Sequence, residues 1–139
     1  MTKDAIRHKV WTRVTAAGVI RFPGAHGRIP NFLGAPRAAR LLAQLTIWKR
    51  AKVVKFDLAA PQLPLRRAAL NEGKIVYIPL PGLHAERCFL EIDPARLAHN
   101  PWRAASLRGA LKYGRAVAPH ELHPIDLVLV GSVAVSRRR

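Results

Sequence analysis

The feature of this sequence that most restricts its fold is a strand, a helix and a second strand in close succession. Residues 52–57 are short and rich in β-branched side chains, which predicts a strand. Residues 64–72 are predicted as a helix, with proline in the first turn and Gly73 as the C-terminal stop. Residues 74–78 follow as a second strand, closed by a turn at 79–82. Short connections of this kind predict a βαβ unit and therefore a parallel sheet.

Further segments extend this unit to an α/β domain. Apolar residues at helical spacing predict helices over residues 2–17 and 36–50. Residues 87–93 are predicted as a third strand and 104–113 as a short helix. Residues 125–130 are almost wholly apolar, which predicts a buried parallel strand. The chain of 139 residues is therefore expected to form a single α/β domain, in which helices flank a parallel-rich sheet in three layers.

The chain carries a large excess of positive charge. Its 24 Lys and Arg against 8 Asp and Glu give a formal net charge of +16. Such a surface attracts nucleic acid, anionic membranes and phosphorylated or polycarboxylate small molecules alike. Aromatic residues are sparse and not interleaved with the basic ones, which does not favour a base-stacking sheet. Two alternatives stay open: a non-catalytic basic module that binds RNA or another polyanion, and an arginine bias of the source genome.

Several classes of protein do not fit the sequence. No stretch approaches the roughly 18 apolar residues of a membrane span, and the polar N-terminus has no apolar signal core behind it. The single cysteine, Cys88, has no second cysteine with which to form a disulfide or share a metal. His120 and His123 are spaced as possible metal ligands, but no third ligand is recognisable in the sequence, so no metal site is predicted. A cytoplasmic protein without a membrane partner is expected.

Two segments carry groups that attract anions. On the first predicted helix, Lys3, Arg7 and Trp11 follow one another at intervals of four residues, so the two cations project side by side. A solvated helix face is the alternative. Residues 21–36 form a loop with three glycines and three prolines. Backbone N–H groups and polar side chains in this loop are suited to an anion, at Gly24, His26, Gly27 and Arg28. A plain connecting loop is the alternative.

A possible substrate pocket is expected at one edge of the sheet. Phe56 and Tyr77 lie near the C-terminal ends of the two adjacent strands, where open α/β sheets bind ligands. Packing in the core is the alternative for both rings. Arg108, at the start of the short helix, is a further candidate because its guanidinium suits an anionic part of a substrate.

Together these segments resemble the 5-formyltetrahydrofolate cyclo-ligase family. The opening Lys3-Asp-Ala-Ile-Arg7 is similar to the Lys-x-x-x-Arg helix start of that family, and the βαβ unit with Asn71-Glu-Gly-Lys74 is similar to its central unit. Residues 124–135 resemble the strand before the family's nucleotide loop. Residues 24–31, Gly-Ala-His-Gly-Arg-Ile-Pro-Asn, resemble a loop of a divergent branch, the methenyltetrahydrofolate synthetase-like proteins.

The resemblance implies a fold of the cyclo-ligase (NagB-RpiA-like) type and the ATP-dependent conversion of 5-formyltetrahydrofolate to 5,10-methenyltetrahydrofolate. ATP, Mg²⁺ and a folate-type molecule are the implied ligands. Lys3 and Arg7 would hold ATP phosphates, and Gln62 stands near the position of a substrate-binding glutamate. In the family the last strand leads into a glycine-rich nucleotide loop, whereas this sequence ends at Arg139. A C-terminally truncated domain is therefore expected, whose incomplete sheet edge would favour a homo-oligomer.

Overall fold

The computed structural model describes residues 1–80, 86–98 and 100–138. Its sheet consists of five strands: β1 (Val53–Lys55), β2 (Ile75–Pro79), β3 (Phe89–Ile92), β4 (Arg115–Val117) and β5 (Leu127–Val128). Their order across the sheet is β4-β3-β2-β1-β5. β1 pairs in parallel with β2 and β5, and β3 is antiparallel to both β2 and β4. Only β3 therefore runs against the other strands, and the predicted α/β class with a parallel-rich sheet is confirmed.

In the described part of the chain five α-helices accompany the sheet: α1 (Lys3–Ala16), α2 (Ala35–Ala43), α3 (Thr46–Arg50), α4 (Leu63–Asn71) and α5 (Leu107–Tyr113). α4 packs on β2, and α5 packs on β3. The 3-10 segment Pro101–Ala105 lies against α4 and α5. Within the described part of the chain, none of these helices combines the length and apolar character needed to cross a bilayer.

The predicted βαβ unit is confirmed by β1, α4 and β2. Gly73 follows the end of α4 with φ +80°, in the left-handed region that residues with a side chain rarely adopt. The chain then returns at once into β2, and the Lys74 N–H donates to the Ala69 carbonyl at 2.9 Å. Apolar residues of these elements form the centre of the core: Val54, Phe56, Leu65, Ala69, Leu70, Val76 and Ile78. Residues 81 and 82 of the turn predicted after the second strand lie outside the described residues.

The single helix predicted over residues 36–50 is wrong, because α2 and α3 are separate. Leu45 between them has an extended conformation, with φ −70° and ψ 142°. The break turns Trp48 into the core, where its indole Nε1 donates to the Glu72 carboxylate at 2.8 Å. Leu41 and Leu45 are exposed instead. One continuous helix would have placed Leu41, Leu45 and Trp48 on the same side.

The strand predicted over residues 125–130 is present, but its predicted burial is wrong. β5 is an edge strand, held by Asp126 N–H to Val53 O at 2.9 Å and by Leu129 N–H to Lys55 O at 2.8 Å. Its side chains alternate between half-buried and exposed, and Val128 and Val130 face solvent. Apolar composition does not distinguish an edge strand from a central one, because the difference is made by neighbours that are distant in sequence. The short strand β4 was not predicted.

Candidate functional site

An apolar cleft of about 460 Å³ opens beyond the C-terminal ends of β1 and β5. Its walls come from α1, α2, the loop between them and the segment that follows β5. Residues that represent these walls are Val10, Ile29, Phe32, Leu42, Leu129 and Gly131. Gln62, at the start of α4, also lines the cleft and is one of its few polar side chains. Open α/β sheets bind ligands in a crevice of this kind.

The loop after β1, which borders the cleft, is held in place by a buried arginine. Arg66 on α4 is only 4% exposed. Its Nη1 donates to the carbonyls of Asp57 at 3.0 Å and Ala59 at 3.2 Å, and its Nε donates to Ala105 O at 2.8 Å. One guanidinium therefore joins the loop after β1 to the 3-10 segment before α5. The sequence contains no signal that singles out Arg66 from its neighbour Arg67, which is exposed.

Asp57 connects the same loop to the segment after β5. One carboxylate oxygen of Asp57 accepts the Gly131 N–H at 2.8 Å, and the Asp57 N–H donates to Gln62 Oε1 at 2.9 Å. A Cβ on Gly131 would lie 2.7 Å from Ile29 Cδ1, so glycine leaves room for this side chain of the loop between α1 and α2. Within the described residues Gln62 Nε2 has no acceptor, which leaves its amide as a donor for a ligand in the cleft.

Trp11 joins α1 to the glycine-containing loop at the rim of the cleft. Its Nε1 donates to the Arg28 carbonyl at 3.0 Å. Its ring lies 5.2 Å from that of His8 and 5.7 Å from that of His26, measured between centroids. Trp11 continues the line of Lys3 and Arg7 along the helix. The structure therefore joins the helix that carries Lys3 and Arg7 to the loop that carries His26 and Arg28.

One of the predicted phosphate-binding cations is already paired with a carboxylate. Lys3 and Arg7 are exposed, but Arg7 Nη1 contacts Asp4 Oδ1 at 2.6 Å, so a phosphate must compete with that carboxylate. In the loop, Gly24 and Gly27 have φ of +113° and +77°, in the region that favours glycine. The Gly24 N–H already donates to Arg21 O at 3.1 Å. His26 and Arg28 are exposed.

The other predicted pocket residues lie away from the cleft. Phe56 is fully buried and packs on Trp48, with ring centroids 6.4 Å apart. Tyr77 is also fully buried, and neither ring lines the cleft. Arg108 is exposed on α5, on the β3 side of the sheet. The structure therefore does not bring Phe56, Tyr77 and Arg108 together with Gln62. The two rings occupy the core, the alternative expected for them.

Tyr77 belongs to a buried polar cluster around Glu91. The Glu91 carboxylate accepts from Tyr77 Oη at 2.6 Å and from Arg115 Nη2 at 3.1 Å, and Tyr77 Oη accepts the His123 N–H at 3.0 Å. Burial acts to raise the pKa of Glu91, but the hydrogen bonds from Tyr77 and Arg115 outweigh it and lower that pKa below its ordinary value. Burial and the hydrogen bond to Glu91 raise the pKa of Tyr77 to about 12.

We predict that Glu91→Gln reduces the acid sensitivity of folding. A lowered folded-state pKa stabilises the protein above the unfolded-state value of 4.5, and this stabilisation is lost as pH falls through the folded-state pKa. The substitution should reduce the free energy of unfolding at pH 7 by about 1–3 kcal/mol and flatten its decline on acidification. Urea unfolding at several pH values measures both, with Glu86→Gln at an exposed position as control. An unchanged pH slope in Glu91→Gln would contradict the prediction.

Comparisons with known proteins agree on one family. The sequence matches the model of the 5-formyltetrahydrofolate cyclo-ligase family over residues 3–139. It is 38%, 34% and 30% identical to proteins described as methenyltetrahydrofolate synthase domain-containing protein in Danio rerio, Bos taurus and Homo sapiens. These alignments include 99% of this chain but only 36–37% of each relative, so the chain spans little more than a third of their length. No solved structure matches the chain.

Proposed function

We propose that the cleft and its rim bind a 5-formyltetrahydrofolate-type folate and ATP for ring closure to the methenyl form, because the chain belongs to the 5-formyltetrahydrofolate cyclo-ligase family. The observation that carries this proposal is the hydrogen bond from Trp11 to the Arg28 carbonyl. This bond joins α1, which carries Lys3 and Arg7, to the glycine-containing loop, and both elements supply walls of the apolar cleft. The names of the relatives support methenyltetrahydrofolate synthesis as the reaction.

In this proposal the apolar cleft receives the flat ring system of the folate. Its lining is mostly aliphatic, and the Gln62 amide supplies a hydrogen-bond donor to a polar edge of the ring. Gln62 is neutral, so it neither holds a cation nor accepts a proton as a glutamate would. Its role is therefore to orient the folate rather than to transfer a proton.

The rim formed by α1 and the loop is proposed to hold the phosphates. When bound, ATP supplies the phosphoryl group that activates the formyl oxygen, and N10 then closes the ring with loss of phosphate. Lys3 and the loop side chains His26 and Arg28 approach the phosphates directly, whereas Arg7 first exchanges Asp4 for a phosphate oxygen. Stabilisation of charge by these cations is their proposed contribution.

Among residues 1–80, 86–98 and 100–138, no three His, Cys, Asp or Glu side chains converge as metal ligands. The proposal therefore assigns no protein ligand to the ion.

The test measures the rise in methenyltetrahydrofolate absorbance when this chain is mixed with ATP, Mg²⁺ and 5-formyltetrahydrofolate. We expect an ATP-dependent rate, and we expect Lys3→Gln with Arg7→Gln to weaken ATP binding about tenfold or more. The double variant Lys9→Gln with Arg13→Gln removes the same charge from exposed positions elsewhere on α1 and is the matched control. A rate equal to the no-protein blank would exclude ligase activity of this chain. Equal ATP affinities of both double variants would exclude the roles of Lys3 and Arg7.

Other expectations from the sequence stay predictions. These are a cytoplasmic location and assembly as a homo-oligomer. The net charge of +16 also supports nucleic acid as a second candidate ligand, without chemistry.

A further inference from the structure

A second, smaller pocket of about 270 Å³ lies beside α5. Its polar lining comes from Arg96, Asn100, Arg103, Lys112 and Tyr113, and none of its described lining residues is acidic. Trp102 stands next to it, because the Arg103 guanidinium lies over the Trp102 ring. We name these residues the basic-aromatic patch: Arg96, Trp102, Arg103, Lys112 and Tyr113. The patch shares no residue with the lining of the apolar cleft.

The aromatic rings of the patch face solvent. Trp102 is 42% exposed and Tyr113 is 40% exposed, whereas Trp11 and Trp48 are buried. Each exposed ring has a cation beside it. Arg103 Cζ lies 5.8 Å from the Trp102 ring centroid, and Lys112 Nζ lies 5.2 Å from that of Tyr113. The rings and cations therefore form one surface that is both apolar and positive.

The packing of the fold explains why these side chains point outward. The 3-10 segment Pro101–Ala105 buries Ala104 and Ala105 completely, and α5 buries Ala110. Small alanine side chains thus make the contacts with the core. The large residues beside them, Trp102 and Tyr113, are left at the surface and make no contribution to the core comparable to that of Trp48.

The charge of the patch is only partly neutralised. Arg96 Nε lies 3.8 Å from Asp93 Oδ2, and the Arg96 side chain is largely exposed. No carboxylate of the described residues lies within salt-bridge distance of Arg103 or Lys112. These two cations remain available to an anionic ligand, each beside an exposed aromatic ring.

We propose that the basic-aromatic patch binds single-stranded nucleic acid. Cations alone would attract any polyanion, but exposed rings add a surface on which unpaired bases stack. In the bound state bases stack on Trp102 and Tyr113, and Arg103 and Lys112 contact the adjacent phosphates. The net charge of +16 increases the rate of encounter with such a chain. This inference goes beyond the ligase proposal and is independent of it, because the two surfaces share no residue.

The experiment uses a fluorescein-labelled oligouridylate of about 12 nucleotides and measures its anisotropy with the whole chain at low salt. We expect binding, and we expect Trp102→Ala and Tyr113→Ala each to weaken it at least about fivefold. Arg103→Gln with Lys112→Gln should also reduce the salt dependence, by about 0.7 in logarithmic slope for each phosphate that the variant no longer neutralises. Thermal unfolding of each variant checks that it is folded.

The matched control is Arg37→Gln with Arg40→Gln, two exposed cations of α2. An equal loss of affinity in this control and in Arg103→Gln with Lys112→Gln would overturn the assigned patch. Three results would overturn the proposal of a single-stranded ligand. The first is absence of binding at low salt, and the second is equally tight binding of a duplex of the same length. The third is competition by uridine monophosphate at the same concentration of nucleotides. A second variant, Trp102→Phe, should keep the affinity but lose most of the tryptophan quenching caused by the oligouridylate. Quenching that persists in this variant would also overturn it.

Discussion

Replacement of Arg66 by alanine is expected to reduce the free energy of unfolding by about 3–5 kcal/mol. The guanidinium donates three hydrogen bonds, of 2.8, 3.0 and 3.2 Å, to carbonyls of two separate segments. Alanine removes all three bonds and leaves the Ala105 carbonyl, at a fully buried residue, without this donor. An unpaired buried carbonyl is costly, because it has given up its bonds to water and received no replacement.

The neighbouring residue supplies the control for this prediction. Arg67→Ala removes the same side chain from an exposed position of the same helix and should change stability by no more than about 0.5 kcal/mol. Urea unfolding of the wild type and both variants measures the difference. Losses of similar size in both variants would mean that helix propensity or net charge, rather than the buried hydrogen bonds, is responsible. Under the proposed function, folded Arg66→Ala should also bind ATP and folate more weakly, since the loop after β1 borders the cleft.

Replacement of Gly109 by alanine should be destabilising by about 3 kcal/mol, although glycine to alanine within a helix is usually favourable by about 1 kcal/mol. A Cβ at this position would lie far inside van der Waals distance of the Arg103 carbonyl oxygen, and 3.1 Å from Ala104 Cα. Both neighbours are backbone atoms, so no side-chain rotation relieves the clash. The 3-10 segment would have to shift, together with the fully buried Ala104 and Ala105.

The sign of the effect makes this a sharp test. Arg108→Ala, at an exposed position one residue earlier in α5, should stay within about 0.5 kcal/mol of the wild type. An increase in melting temperature for Gly109→Ala would show that the 3-10 segment moves at little cost. Because Ala105 O also accepts from Arg66, the double variant Gly109→Ala with Arg66→Ala should lose less than the sum of the single losses.

Local patterns were sufficient to predict the elements that carry the fold. The first helix, the βαβ unit and the third strand are all present within a few residues of their predicted bounds, because apolar spacing, prolines and glycines act within one element. The helix predicted over residues 36–50 was wrong at Leu45, where the burial of Trp48 against the Glu72 carboxylate outweighs the continuation of the helix. The short β4 offers too few residues for a periodic pattern.

The candidate site was predicted only in part. The sequence indicated Lys3, Arg7 and the glycine-containing loop as separate segments. The bond that joins α1 to this loop links Trp11 and Arg28, which are 17 residues apart. Phe56 and Tyr77 were predicted as pocket residues because ligands bind beyond the ends of parallel strands, yet both rings are buried in the core. Asp57, two residues after β1, was not predicted as a site residue, and its contact with Gly131 joins residues 74 apart in the chain.

The sequence alone therefore determined the α/β class, the central βαβ unit and the resemblance to a family, because these depend on residue types and on spacing within short segments. Only the tertiary structure decided that β5 is an edge strand, that Arg66 is buried while Arg67 is exposed, and that Trp102 and Tyr113 remain at the surface. Each of these depends on groups far apart in sequence. The same arginine is a solvated cation or a buried donor according to whether the fold places carbonyl oxygens within hydrogen-bond distance of it.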